Sequence, residues 1–298
     1  MRSNAPSAPS ASGPTSTGAG RPSYREQKGW RERVTLLVDQ WLHEHPPATD
    51  LADVLRCTWR GDLAEMRTPL PDECLDLVWV DDGSMWVSGP ETRSWARGYV
   101  RTSNAVGVRF RPAVGPPLLG VSASELRDTR VRLEELWSSR AARELSERVA
   151  QQPDDRARAR VLEAAARALA AQARPVDDLA REVAVGIGRA RPSSVGDLAR
   201  AIGVSQRQIH RRCTAAFGYG PATLTRILRL QRGLQLARSP WRPARLVDLA
   251  TAAGYSDQQH LAHDVQSIMG TTPTRLLRAS PRPIHTRPSR RRPEIIRG

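Results

Sequence analysis

Two stretches of the chain repeat one design. The first runs from Val195 to Ile202, turns at Gly203-Val204-Ser205 and resumes from Gln206 to Phe217 before Gly218. The second runs from Leu246 to Ala253, turns at Gly254-Tyr255-Ser256 and resumes from Asp257 to Met269 before Gly270. In each, apolar residues recur at helical spacing, a glycine stands where the chain must turn through positive φ, and a serine is placed to cap the second helix. Few folds accommodate two short helices joined by a three-residue turn and written twice. The pattern predicts tandem helix-turn-helix units, in which the second helix of each pair enters the major groove of DNA.

The spacing adds a constraint. Ser205 and Ser256 lie 51 residues apart, with a helical run from Pro221 to Ala237 between them. Pro221 suits a first helical turn, and Leu224, Ile227, Leu228, Leu230 and Leu234 follow a 3.6-residue period. A helix of that length spans about 25 Å at ~1.5 Å per residue. It can therefore hold two reading helices about one duplex turn apart, ~34 Å.

On these residues, Ser194 to Arg278 resembles the DNA-binding domain of the AraC/XylS family of bacterial transcription regulators. The likeness is carried by Leu198-Ala199, Gly203-Val204-Ser205, the run Leu230 to Ala237, Leu249-Ala250, the run Ala253 to Gln258, and Gly270-Thr-Thr-Pro273. Where the family usually has aromatics this chain has Cys213, Leu261 and Val265, all expected core positions. The resemblance implies a sequence-specific regulator rather than an enzyme, an activator in the family's common role, with double-stranded DNA and RNA polymerase as partners. The residues themselves do not encode the sign of regulation.

Helical geometry then sorts the side chains. In the first reading helix Ile209, Cys213, Ala216 and Phe217 mark the buried side, leaving Gln206, Arg207, His210, Arg211 and Thr214 outward. Arg207 and Arg211 are four residues apart on one face, and each offers the forked donor that matches guanine O6 and N7. They are the expected base readers, assisted by Gln206 and His210; the family's base-reading positions align with Arg207, His210 and Arg211. Arginines touching only phosphate are the open alternative.

In the second reading helix Leu261, Val265 and Ile268 point inward, while Gln258, Gln259, Ala262, His263 and Gln266 face out, with Asp257 and Asp264 making the helix locally acidic. Gln258, Gln259 and His263 are its expected base contacts, since glutamine reads adenine N6 and N7. The first unit is expected to supply most of the discrimination. Phosphate contacts are expected from Arg200, Arg212, Arg226, Arg229, Arg232 and Arg275, and six such contacts imply that log K falls with log salt at a slope near −5, or about −0.9 per contact. Charge agrees: of the net +15, residues 1–174 carry +2 and residues 175–298 carry +13.

The fold class expected is α+β: a β-rich N-terminal domain with flanking helices, then an all-α domain of two helix-turn-helix subdomains joined by a linker helix. Residues 1–27 read as a disordered leader, or equally as the product of a misassigned start; 28–130 as a β-rich sensor domain; 131–174 as a helical linker; 175–279 as the DNA-binding domain; 280–298 as a basic disordered tail, either a phosphate-binding arm or a solvated terminus. Within the sensor an amphipathic helix is expected over Trp30 to Leu42. Strands follow at Leu75–Val80 and Ser84–Ser88 around the turn Asp81-Asp82-Gly83, and at 105–111. A capped helix is expected from Ser122 with Glu125 three residues on, then helices at 131–149 and 157–173. The last of these either pairs with a copy of itself in a homodimer or packs on the sheet.

The segment 70–137 resembles sensor-type domains attached to many actinobacterial members of the same family, through Leu70 to Val78, Ser88-Gly-Pro90, Val106 to Pro112 and Leu119 to Leu126. A small-molecule or protein effector is the partner this implies, of unspecified identity.

Other chemistry is weakly supported. His43 and His45 have a strand-like metal spacing but no third ligand nearby, and neither metal nor cofactor is expected. Asp72, Glu73, Asp76, Asp81 and Asp82 read as solvated turn and edge residues rather than acid–base groups. Trp79, Trp86 and Trp95 line either a ligand pocket or the core. Cys57 and Cys74 read as buried thiols rather than a redox pair. A DNA-repair alkyl-transfer enzyme needs an activated cysteine, and none of Cys57, Cys74 and Cys213 sits in a suitable context. A non-catalytic adaptor that binds DNA only beside another regulator or polymerase stays open because of the acidic second helix. No apolar run reaches the ~18 residues of a membrane span, and a cytoplasmic, nucleoid-associated protein is expected.

Overall fold

The computed structural model describes residues 42–63, 70–94, 104–173, 177–188, 194–239, 243 and 245–279. The expected leader, the basic tail, Trp95 and most of the helix expected over 30–42 lie outside them. Leu42 itself opens a strand, β1 (Leu42–His45), so the helical period does not extend to it.

Five further strands follow: β2 (Leu55–Asp62), β3 (Asp76–Val80), β4 (Met85–Ser88), β5 (Asn104–Phe110) and β6 (Arg130–Arg132). They form one antiparallel sheet in the order β1-β2-β5-β3-β4-β6. The β3–β4 hairpin turns where the sequence indicates, with Gly83 at φ 81° and Asp82 accepting from the Ser84 amide at 2.8 Å. Alternation along the strands gives the sheet two apolar faces. Leu77, Trp79, Met85, Val87, Val106, Val108 and Phe110 face the main core, and Cys57, Trp59, Val78, Val80 and Ala105 form a second cluster.

The helices of this half are α1 (Gly115–Leu119), α2 (Leu133–Leu136), α3 (Ser139–Ala150) and α4 (Asp155–Gln172). Two expectations shift here. The Pro-rich run is itself a helix, with prolines in the first turn and Gly120 closing it at φ 72°, whereas Ser122 caps no helix and instead accepts from the Ser124 amide. The helix expected over 131–149 is broken: Val131 and Arg132 pair with β4, and Ser138 starts α3 afresh by accepting from the Ala141 amide. Helix α4 packs on the sheet. Leu162 and Ala166 are fully buried in the sheet's own core, with Val161, Ala165 and Leu169 partly buried against it.

The remaining helices are α5 (Asp178–Gly188), α6 (Val195–Ile202), α7 (Gln206–Phe217), α8 (Pro221–Arg238), α9 (Leu246–Ala253), α10 (Gln258–Met269) and α11 (Pro273–Ala279). Ala180, Val183 and Ile187 of α5, Leu198 of α6, Ile209 and Phe217 of α7 and Leu224 and Ile227 of α8 share one core. Leu230 and Leu234 farther along α8 are buried, as are Leu249, Tyr255, Leu261, Val265, Ile268 and Leu276. Thus α8 contributes first to one subdomain and then to the other. The result is the α+β arrangement expected.

Charged groups line the junction between the halves. Arg109 makes a two-pronged ion pair with Asp76, at 2.9 and 3.0 Å, and lies 3.6 Å from Asp72. Burial works against its charge, but Asp76 and Asp72 more than offset this and raise its pKa well above the usual range. Glu73 is only 7% exposed and accepts from Gln231 of α8 at 3.0 Å. Asp72, Glu73 and Asp76 are therefore structural rather than solvated; only Asp81 and Asp82 lie exposed in a turn as expected. An acidic run beside a strand looks the same in sequence whether water or a buried arginine faces it.

Candidate nucleic-acid interface

The first unit is built by local hydrogen bonds. Ser194 caps α6 by accepting from the Asp197 amide at 3.0 Å. Gly203, at φ 74°, ends it and lets the Val204 amide reach back to Ala199 O at 3.0 Å. Ser205 then accepts from the Gln208 amide while Gln208 accepts from the Ser205 amide, a reciprocal cap that fixes where α7 starts. With Ile209, Cys213, Ala216 and Phe217 buried, the opposite side presents Gln206, Arg207, His210 and Arg211, all exposed. Thr214 is partly buried and donates to the His210 carbonyl. The His210 ring lies over Gly220, where an added Cβ would fall 2.6 Å from Nε2. Among the described residues no ion pair engages Arg207 or Arg211, so both guanidinium groups are available to an outside partner.

The second unit follows the same plan with one shift. Gly254, at φ 90°, ends α9, and the Tyr255 amide donates to Ala250 O at 2.9 Å. The cap of α10 is Asp257, which accepts from the His260 amide at 2.7 Å, and not Ser256. That hydrogen bond holds the Asp257 carboxyl below the usual range. Gln258, Gln259, His263 and Gln266 are exposed, Ala262 half-buried. Asp264, by contrast, is 1% exposed and accepts from Arg226 Nε of α8 at 2.8 Å. The expectation of a locally acidic reading helix is corrected. Asp264 is buried against a cation, and Asp257 keeps its exposed charge at the helix cap, leaving an amide-rich outer face with one acid at its N-terminal end.

The six arginines expected at phosphate fall into distinct settings. Arg200 is paired with Asp197 on an exposed helix surface. Arg212 is paired with Asp177 at 2.9 Å, and Arg275 is exposed. Arg232 is half-buried. Arg226 is turned to Asp264 and Ser267, and Arg229 lies over the Tyr255 ring at 5.4 Å, its Nε buried. These last two hold α8 against the second unit. Sequence spacing on an arginine-rich helix gave no means of separating them from the others.

Among the described residues no alternative chemistry is assembled. Trp79 and Trp86 lie on opposite faces of the sheet, Trp79 in the main core and Trp86 beside the second cluster under Arg132, so they cannot line one cavity. Cys57, Cys74 and Cys213 are free and buried; burial pushes the Cys57 and Cys213 thiols up to about 12, the opposite of an activated nucleophile. His43 and His45 sit on β1, exposed, and among the described residues no group of three or more His, Cys, Asp or Glu is placed to hold a metal. Nor is any described helix long and apolar enough to cross a membrane.

Two helix-turn-helix units on a shared helix define a DNA-binding module. Residues 198–279 match the family model described as "Helix-turn-helix domain", so this part of the chain is a DNA-binding helix-turn-helix domain of the kind found in AraC-type transcription regulators. Residues 43–132 match a family described as "Domain of unknown function (DUF6597)". No curated protein matches the chain. Among solved structures, a probable AraC family transcriptional regulator from Rhodopseudomonas palustris is 28% identical, with 35% of this chain and 100% of that one covered and a TM-score of 0.31. An AraC-type transcriptional regulator from Chromobacterium violaceum is 26% identical, covering 35% of this chain and 90% of its own, with a TM-score of 0.30. ToxT from Vibrio cholerae covers 81% of this chain and 99% of its own at 11% identity and a TM-score of 0.42.

Proposed function

We propose that the protein is a transcription activator that reads two adjacent major grooves of one duplex, with α7 in the first and α10 in the second. The observation that carries this reading is the pair of exposed polar faces on the early turns of two capped helices: Gln206, Arg207, His210 and Arg211 on α7, and Gln258, Gln259 and His263 on α10. Both helices are fixed to α8, whose 18 residues span about 27 Å at ~1.5 Å each. In this reading Arg207 and Arg211 select guanine, the glutamines select adenine, and Arg200, Arg212, Arg232 and Arg275 meet phosphate, Arg200 and Arg212 exchanging exposed ion pairs for charge-assisted hydrogen bonds.

The domain limits that go with it are 28–130 for a regulatory domain, 131–174 for helices that complete it, and 175–279 for the reader, with RNA polymerase as the protein partner and an effector acting through the regulatory domain. The alternative, an adaptor that binds DNA only beside another regulator or polymerase, draws its support from the acidic residues of α10, of which Asp264 is buried and Asp257 exposed. Selection of duplexes from a random-sequence library by the purified full chain tests the reading. A recovered element with two conserved blocks about one helical turn apart supports it; a single block contacted by α7 alone overturns it.

A further inference from the structure

The N-terminal half touches the reader at the far ends of both reading helices. The Ala123 amide donates to Ala215 O at 2.9 Å, and the Ser94 amide donates to Ile268 O at 2.6 Å. Ala215 and Ile268 belong to the last turns of α7 and α10, where helix carbonyls have no partner within the helix. Each reading helix thus has a terminal carbonyl satisfied by a backbone N–H from the same neighbouring domain. Between these two points the junction runs over the turn after α7 and along α8. Tyr219, 2% exposed, donates to Asp72 O at 3.4 Å, Gln231 donates to Pro71 O at 3.1 Å and to Glu73, and Arg127 donates to Gly218 O at 3.4 Å. Gly218 stands at φ 81°, and a Cβ there would fall 2.7 Å from Pro90 Cγ and 2.9 Å from Ala123 O.

From this arrangement we infer that the N-terminal domain is a brace that fixes the separation and angle of the two reading helices, with Gly218 and Gln231 as positioning residues for DNA recognition. The braced ends are the C-terminal turns; the base-facing N-terminal turns of α7 and α10 stay open. Helix α8 packs against both units, and their relative tilt depends on the side chains packed along it. The junction contacts from the N-terminal domain limit that freedom, and a pre-organised pair of readers loses less ordering entropy on binding. The brace therefore restricts which half-site spacing is accepted: one added base pair moves the second block by about 3.4 Å and turns it by about 35°, given ~10 base pairs per ~34 Å turn.

This inference rests on the two-groove reading, and the test separates the two. The probe is the tightest duplex selected by the full chain, alongside versions with one base pair inserted or deleted between its blocks. Gly218→Asn keeps the left-handed cap, which asparagine tolerates, but drives a Cβ into Pro90 and Ala123. Gly270→Asn is the control, because it makes the same change at the end of α10, at φ 66° with nothing within 4 Å. Gln231→Leu breaks the junction without touching a helix cap, and circular dichroism confirms that each variant folds.

The expected result is that wild type and Gly270→Asn bind the altered spacings ~10-fold or more weakly, equivalent to ~1.4 kcal/mol. Gly218→Asn and Gln231→Leu should bind the native spacing several-fold more weakly and lose most of the spacing penalty. A full spacing penalty retained in both junction variants overturns the brace while leaving two-groove reading intact. Tighter binding with an unchanged penalty also overturns it, since the junction would then restrain the reader. A wild type indifferent to spacing overturns two-groove reading and the brace together.

Discussion

Arg226 Nε lies 2.8 Å from Asp264 Oδ1, joining the linker helix α8 to the buried side of the second reading helix. The Asp264 side chain is 2% exposed and the Arg226 side chain 40%, so the carboxylate depends on this cation while the guanidinium keeps access to water. Removing the arginine strands a buried charge. Arg226→Ala should destabilise the fold by about 2–3 kcal/mol, below the ~3–5 kcal/mol of a fully buried pair. Adding Asp264→Asn in the same background should recover most of the loss. Urea unfolding of the two single variants and the double checks this; additive losses would show that the pair is not coupled.

Arg211 stands on the open face of α7, exposed and four residues from Arg207. Arg211→Ala should cost about 1–3 kcal/mol on the selected duplex and relax preference at one position, with little change on scrambled DNA. Titration of both duplexes at one salt concentration is the measurement. Equal loss on the two would assign Arg211 to phosphate.

The salt dependence should be shallower than the arginine count suggests. With Arg226 turned to Asp264 and Arg229 set over Tyr255, phosphate contacts from Arg200, Arg212, Arg232 and Arg275 would make log K fall with log salt at a slope of about −3 to −4, at ~0.9 per contact. A slope near −5 would mean that the two interior arginines turn outward on binding.

Glu73 links the junction to pH. Burial, with the nearby Asp72 charge adding to it, raises its carboxyl above the usual value of 4.5. Gln231, Asp72 and Arg56 face it. A carboxyl raised in the folded state contributes stability that is fully present below its unfolded pKa and is lost as pH rises through the folded value. At neutral pH the charge therefore opposes folding. Glu73→Gln, which keeps an acceptor for Gln231, should melt at a higher temperature than wild type at pH 7, the difference shrinking as pH drops toward about 4, the ordinary carboxylate range. A pH-independent difference would show that the charge is not what matters.

Much of the reader was legible in the chain. Glycine turns, helix caps and apolar periods mark α6 to α10 because the information is local: Gly203 and Gly254 both adopt positive φ, and Ser205 caps α7. The errors arise where partners distant in sequence decide. Asp264 looks like a surface acid until Arg226, 38 residues away, is brought beside it. Asp72 and Asp76 look like edge residues until Arg109 arrives from β5. The short strand β6 has no signal of its own and exists because β4 offers an edge. The junction between Gln231 and residues 71–73, more than 150 positions apart, leaves no trace in local pattern.

The most direct test of two-groove reading is a hydroxyl-radical footprint of the full chain on its selected duplex. Two protected patches on one face of the helix, about 10 base pairs apart, with Gln259→Ala weakening only the patch assigned to α10, is the predicted result. A single patch the width of one groove, unchanged by substitutions in α10, would contradict it.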